Sequence, residues 1–428
     1  MKEDKASIAR SKNKIIVIGA GAGGLMAAGA AAKAGADVVV LEKMKQAGRK
    51  LRISGKGRCN ITNIADSHDF INHFGKQGRF LHQAFARFFS PELIKFFEDH
   101  GLKLVTERGG RVFPAQGKAV DVLNVFLNWL KKHKVSIKTS SPVTRLLVAG
   151  DSIVGVICNG REIHCDTVIL ATGGASYPGT GSTGDGFGLA KQVGHTVIPI
   201  RPALVPLITD TKNTGDLNGL SLRNVNVRLL VNGKRKKQLF GEMAFTNFGV
   251  TGPTILTLSG FCVDCLRASK KLSLSIDLKP ALDDQKLDHR LQRDLQKRYD
   301  EEISSIMRGL LPKPLIPVCL HETDIAAKRL GGEISAQERR RLRLWLKDFR
   351  LDITGHKSLK EAIVTAGGVN TKEVNPVTME SLLIKGLYFV GEILDIHGDT
   401  GGYNLQAAFS TGRLAGLSAA QALSTKEE

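Results

Sequence analysis

The chain has 428 residues, of which 42% are hydrophobic and 24% charged, with 46 glycines. This composition buries a core and excludes a disordered chain, a collagen or a coiled-coil rod, and the length fits two or three domains. The 61 Lys and Arg against 41 Asp and Glu leave a net charge of +20, which points either to a polyanionic partner or to a basic solvated surface.

Nowhere does the sequence hold the ~18 consecutive apolar residues of a membrane span, and the charged opening segment does not read as a signal peptide. Six scattered cysteines are too sparse for a disulfide scaffold. The expectation is a cytoplasmic protein with no membrane anchor and no metal site.

After a polar arm, Lys14–Ile18 reads as a buried strand entering a glycine-rich turn over 19–24, then an alanine-rich helix to about Lys33 and a second strand over 37–42. That order is a βαβ unit. Ser90-Pro91 places Ser as an N-cap and Pro at the first helical position, with Leu93, Phe96 and Phe97 as an apolar face before Gly101. A helix over 119–132 carries Val120, Leu123, Leu127 and Leu130 at helical spacing and feeds a short strand over 135–138; 166–171 is a further buried strand. From about residue 197 the pattern becomes antiparallel β, with alternation over 225–231 and 272–278 and a hairpin signal at Asn232-Gly233. Residues 283–350 read as helical, and Ser335 with Glu338 forms a capping box that opens a helix. The α/β texture returns at 387–391, ahead of a glycine-rich loop and a last helix from about Gln406. The expected fold class is α/β: an interrupted Rossmann-like dinucleotide domain (1–196 and 365–428), an inserted antiparallel β module (197–280, returning at 351–364) and a helical module (281–350).

Gly19, Gly21 and Gly24 form G-x-G-x-x-G between a strand and a helix, where backbone N–H groups and the helix dipole meet a pyrophosphate. Glu42, at the end of the next strand, is placed to accept hydrogen bonds from a ribose diol, which favours FAD or NAD over NADP. Two further glycine signals follow buried strands: Thr172-Gly173-Gly174, and Gly391-Glu392 with Gly401-Gly402-Tyr403-Asn404-Leu405-Gln406. The three together resemble the FAD fingerprints of the two-dinucleotide-binding flavoproteins, in which the last helix aims its N-terminus at the flavin pyrimidine edge.

With Ile53-Ser-Gly-Lys-Gly-Arg-Cys-Asn-Ile-Thr-Asn63 added, the chain closely resembles, over nearly its whole length, the bacterial flavoproteins called BaiN-like, YhiN-like or aminoacetone-oxidase-like. The resemblance implies a discontinuous FAD domain with inserted β-barrel and helical modules. It implies FAD pyrophosphate on Gly19, Gly21, Ala22, Gly23 and Gly24, ribose at Glu42 and Lys43, and the adenine on the backbone of Val143. Arg49, Lys50, Ser54, Gly55 and Asn60 would lie beside the flavin, Thr172 and Gly173 would join the contacts, and Glu392, Asn404 and Leu405 would complete the ribityl and ring site. Only one glycine fingerprint has full βαβ context, so NAD(P)H would dock transiently.

The activities attached to this resemblance are amine oxidation, bile-acid reduction and reduction of a uridine to dihydrouridine in large-subunit ribosomal RNA. Between 43 and 58 lie seven basic residues (Lys43, Lys45, Arg49, Lys50, Arg52, Lys56, Arg58) and no acid, more than one diphosphate needs. This favours the RNA reductase, with hydride delivered to uracil C6, over an O2-dependent amine oxidase or a non-catalytic RNA-binding flavoprotein. Lys56 and Arg58, and the helical stripe Arg339, Arg343 and Lys347, are the candidate phosphate contacts, and Cys59 is a candidate proton donor. Cys262 and Cys265 read as core cysteines on one helical turn, and His397 receives no role. With aromatics at 6%, a stacking platform of the RNA-recognition-motif type is not expected. The oligomeric state is left open.

Overall fold

Five short runs dominated by aliphatic and aromatic residues pair in parallel in the order Leu387–Phe389, Thr167–Leu170, Lys14–Ile18, Asp37–Leu41, Ser136–Lys138. The strands Lys14–Ile18, Thr167–Leu170 and Leu387–Phe389 are almost wholly buried and read as continuous apolar runs, the pattern of a sheet covered by helices. The computed structural model describes residues 14–210 and 217–425, so the opening polar arm lies outside the described residues. The chain divides into two compact units, 1–202 with 362–428, and 203–361.

In the first unit the strand Lys14–Ile18 is central, and its strand-to-helix turn leads into the helix Ala22–Lys33. The last helix, Tyr403–Ser424, packs on that first helix at backbone contact: a Cβ on Gly412 would stand 2.4 Å from Gly23 O, and one on Gly416 2.3 Å from Ala27 O. Phe97, Phe126, Trp129 and Phe409 extend the same core. The helix Ala119–Lys132 forms as its periodicity requires. The helix over 90–99 begins differently from expectation: Phe89 is its N-cap, Glu92 reaches back to the Phe89 N–H at 2.9 Å, and the Ser90 hydroxyl is buried without a partner. Two small antiparallel sheets, over 62–114 and over 143–164, complete the unit and have no counterpart in the sequence reading.

The second unit is built on a closed barrel with the strand order Leu207–Thr209, Gly249–Thr251, Lys234–Thr246, Ser221–Val231, Leu272–Asp277, Phe349–His356. Asn232-Gly233 makes the hairpin turn between the two long strands, with Asn232 at φ 49 and Gly233 at φ 77, the left-handed pair such a turn demands. Two corrections follow. The unit boundaries fall at 202/203 and 361/362 rather than at 196/197 and 364/365. The helical stretch is also not a module of its own, because Leu287, Leu291, Leu342 and Leu346 share one core with the barrel residues Val227, Leu274 and Ile276. Amphipathic helices of this length need an apolar partner face, and the barrel provides it. Among the described residues no helix is long and apolar enough to cross a membrane.

Because Gly412 meets main chain and not a flexible side chain, Gly412→Ala should force the two helices apart and destabilise the first unit by about 2–3 kcal/mol. Urea denaturation with a far-UV signal reads this as a lowered midpoint.

Candidate functional site

The residues that immediately follow the sheet's parallel strands converge on one elongated cleft: Gly19 after Ile18, Glu42 after Leu41, Ala171 after Leu170 and Val390 after Phe389, with Ser141 to Val143 closing one end. Open parallel sheets bind ligands at these carboxyl ends. The cleft holds about 1510 Å³ of non-protein space, including its mouth, and every wall residue belongs to the first unit.

The glycine turn shows why each glycine is needed. Gly19 has φ +102, and a Cβ there would meet Ala171 O at 2.6 Å. A Cβ on Gly24 would fall 1.9 Å from Gly19 O, and one on Gly23 2.6 Å from Val390 Cγ1. Gly21 differs, since nothing lies within 4 Å of its Cβ position: it faces the open cleft. Gly21 and Gly402 head the helices Ala22–Lys33 and Tyr403–Ser424 without any side-chain cap, and residues of both first turns line the cleft. Their N–H groups are available to an anion.

Polar side chains are held in fixed positions around this space. Glu42 accepts from Ala20 N and Met44 N, both at 2.8 Å, one on each carboxylate oxygen, and its remaining lone pairs can accept hydroxyl donors. Across the cleft Lys50 Nζ donates to Glu392 Oε2 at 2.8 Å and to Ser176 Oγ at 2.7 Å, while Glu392 Oε1 accepts from Ser176 Oγ at 2.9 Å and from Thr365 N at 2.8 Å. Burial pushes the Glu392 carboxyl up, yet the Lys50 charge and these hydrogen bonds outweigh it and hold the group below the ordinary carboxylate range. A Cβ on Gly174 would come 2.9 Å from Glu392 Oε1.

The sequence pattern of the HI0933-like protein Rossmann domain matches residues 13–418. The chain is 33% identical over 411 residues to the 3-dehydro-bile acid Δ(4,6)-reductase of Clostridium scindens, covering 96% of this chain and 99% of the relative. It is 30% identical over 406 residues to the ribosomal RNA dihydrouridine synthase of Haemophilus influenzae, covering 94% and 97%. The chain belongs to the HI0933-like family of FAD-dependent oxidoreductases. A solved quinol–fumarate reductase shares the fold at TM-score 0.52 and 19% identity, with 96% of this chain and 71% of that one aligned.

The cleft of this HI0933-like oxidoreductase suits FAD on its own geometry. It combines an open cradle at Gly21, two uncapped helix N-termini, an anchored carboxylate at Glu42 and a buried Thr172 hydroxyl without a protein partner. Of the residues expected to hold FAD, Gly19, Gly21, Ala22, Gly23, Glu42, Lys43, Arg49, Lys50, Ser54, Val143, Thr172, Gly173, Glu392, Asn404 and Leu405 stand in the cleft wall.

Several expectations need correction. Gly24, Gly55 and Asn60 are not wall residues; Gly24 serves the close approach to Gly19, and Gly55, at φ +56, shapes the turn against Asn60 N. Lys43 is tied to Thr183 and, at 2.5 Å, to Asp185, so its ammonium is already neutralised. Both N–H donors of the Asn404 amide are used by the loop before it, on Gly398 O and Asp399 O, and its oxygen accepts from Gly398 N at 2.8 Å, so the side chain can only accept from a cofactor.

Cys59, the candidate proton donor, does not reach the cleft. It is wholly buried in the core of the first unit, absent from the cleft wall, and burial pushes its thiol up to about 12, the Ser54 hydrogen bond offsetting only part of this. Arg58, its neighbour in sequence, pairs with Glu107 at 2.5 Å and lies over the Phe113 ring.

The stripe on the helix Ala336–Lys347 is likewise no free phosphate surface. Arg339 pairs with Asp288 and Arg343 with Asp284 on the facing helix Asp284–Lys297, and Lys347 is 2.6 Å from Asp277. Cys262 and Cys265 are both buried in the barrel unit's core.

Sequence reasoning missed Ser176, Thr365 and Asp185, whose roles depend on contacts across long separations. It also missed the His73–Asp399 pair, in which Nδ1 lies 2.8 Å from Oδ2 and the ring stacks on Tyr403 at 3.9 Å.

Two predictions follow from this geometry. Gly21→Leu should keep the fold, because its side chain meets empty space, but should purify without yellow cofactor; circular dichroism and absorbance near the flavin bands check both halves. Glu392, with its pKa lowered in the folded state, contributes stability above the ordinary carboxylate pKa of ~4.3 that is lost as pH falls through its folded value. Lys50→Met removes the cation that lowers it, so the acid limb of a stability–pH curve should move to higher pH relative to wild type.

Proposed function

We propose that the protein is an NAD(P)H-dependent reductase of carbon–carbon double bonds conjugated to a carbonyl, and that its substrate is a uridine of large-subunit ribosomal RNA, which it converts to dihydrouridine. The names of the Haemophilus and Clostridium relatives describe one chemistry on two molecules: a hydride and a proton are added across such a double bond. FAD, when bound, supplies the hydride.

Charge at the cleft favours RNA over a bile acid. Of the seven basic residues over 43–58, Lys43, Lys50 and Arg58 are ion-paired, while Lys45, Arg49, Arg52 and Lys56 are exposed and have no carboxylate partner among the described residues. Of these four Arg49 stands in the cleft wall and the others belong to the same short segment; a carboxylated steroid does not call for so many unpaired cations, whereas a phosphate backbone matches them. Lys50, fixed in the cleft wall by Glu392 and Ser176, keeps one of its three N–H donors for the carbonyl oxygen as it gains negative charge. Arg49 and Lys45 then position the RNA, and NAD(P)H docks transiently before it.

The test is anaerobic turnover of the holoenzyme with NADPH or NADH on a large-subunit rRNA transcript and, separately, on a 3-oxo-4,6-diene steroid. Nucleoside mass spectrometry should show a uridine gaining two hydrogens, while the steroid remains unchanged. Turnover of the steroid alone would give this chain the Clostridium relative's substrate class. Rapid reoxidation by O2 coupled to amine turnover would make it an oxidase.

A further inference from the structure

The barrel unit treats its basic residues in two ways. On and beside its helices many are paired: Arg290 with Asp294, Arg298 with Glu301, Arg339 with Asp288 and Lys347 with Asp277. At the tip of its long hairpin they are not. The turn Asn232-Gly233 runs directly into Lys234, Arg235, Lys236 and Lys237, all four exposed and none in an ion pair among the described residues. Arg235 reaches only Gln238 at 3.3 Å, and Lys237 lies 5.0 Å from the centre of the Phe261 ring.

Two more unpaired, exposed cations are fixed to this tip. Asn232 N donates to Lys271 O at 2.9 Å, and Lys271 N donates back to Asn232 Oδ1 at 3.0 Å, which holds Lys270 and Lys271 against the turn.

The ribbon that displays these charges is anchored in the barrel. Leu229 and Val231 sit in the barrel core while their cross-strand partners Lys237 and Lys234 carry the charge, and the register shifts between Leu229 and Leu230 so that Lys236 is the bulged residue. A bulge re-aims side chains and sharpens the local twist. Six like charges this close repel one another and do nothing for the hairpin itself, which needs only its turn and its inner face. Their placement fits an external polyanion.

We propose that the hairpin tip over 232–237, with Lys270 and Lys271, is a docking surface for the RNA phosphate backbone. It rests on the RNA reading of the function and gives the barrel unit a binding role beside the cleft of the first unit. Phe240, 61% exposed, is the large apolar side chain the hairpin shows to solvent. One aromatic beside a row of cations suits stacking with an unpaired base, whereas a bilayer surface selects a broad apolar face.

The experiment compares wild-type holoenzyme with a variant carrying Lys234→Gln, Arg235→Gln, Lys236→Gln and Lys237→Gln, and with a second variant carrying Lys270→Gln and Lys271→Gln. Affinity for a large-subunit rRNA fragment is measured across a salt series, and for phosphatidylglycerol vesicles in parallel. Each lost phosphate contact removes about 0.7–0.9 from the slope of log K against log salt. The fourfold variant should therefore flatten the slope by about three and bind at least tenfold more weakly, and the second by about one to two. FAD content, thermal midpoint and NADPH oxidation should match wild type. An unchanged slope in both variants, with wild type still binding and reducing the RNA, overturns the docking surface and leaves the function standing. A wild-type protein that neither binds nor reduces RNA overturns both. Loss of vesicle binding in the variants, with RNA binding intact, would assign the tip to a membrane instead.

Discussion

The cofactor unit depends on main chain lying directly against main chain around the helix Ala22–Lys33. Its first turn is pressed on the end of the central strand at Gly19 and Gly24, and its flank is pressed on the last helix at Gly412 and Gly416. At each point a single methyl group would intrude on a carbonyl oxygen. Glycine is required there by close approach, and at Gly19 by a positive φ as well. This approach sets the two uncapped helix N-termini beside the ends of the parallel strands, and the cleft is the space they leave.

In and around that cleft the charges have two different tasks. Lys43 with Asp185, and Lys50 with Glu392 and Ser176, are closed pairs that fix the walls. Lys45, Arg49, Arg52 and Lys56 are left open to solvent. The same division recurs in the barrel unit, where Arg339 and Arg343 bind one helix to another and the hairpin cations have no ion pair among the described residues. A net charge of +20 is therefore not uniform excess; its informative part is the fraction without internal partners.

Both corrections to the candidate chemistry come from tertiary environment. Cys59 lies between Arg58 and Asn60 in the most specific stretch of the sequence, which marks it as a candidate acid. In the folded chain the arginine points to Glu107 and Phe113, and the thiol is left in an apolar core that raises its pKa. The stripe of Arg339, Arg343 and Lys347 has the spacing of an outward basic face, but the helix Asp284–Lys297 turns Asp284 and Asp288 toward it.

Local pattern determined much of this protein. The G-x-G-x-x-G turn between strand and helix, Glu42 at the second strand's end, the Asn232-Gly233 hairpin and the Ser335–Glu338 capping box are specified by contacts within a few residues or by one periodic element, and so are legible in order along the chain. What the local pattern could not determine were partners brought together across long separations: Ser176 and Thr365 on Glu392, Asp399 on His73, the helical stretch joining the barrel core, and the choice of which cations are neutralised. Those depend on which faces meet once the elements pack, and a side chain's charge state and availability follow from its neighbours in space, which only the tertiary structure supplies.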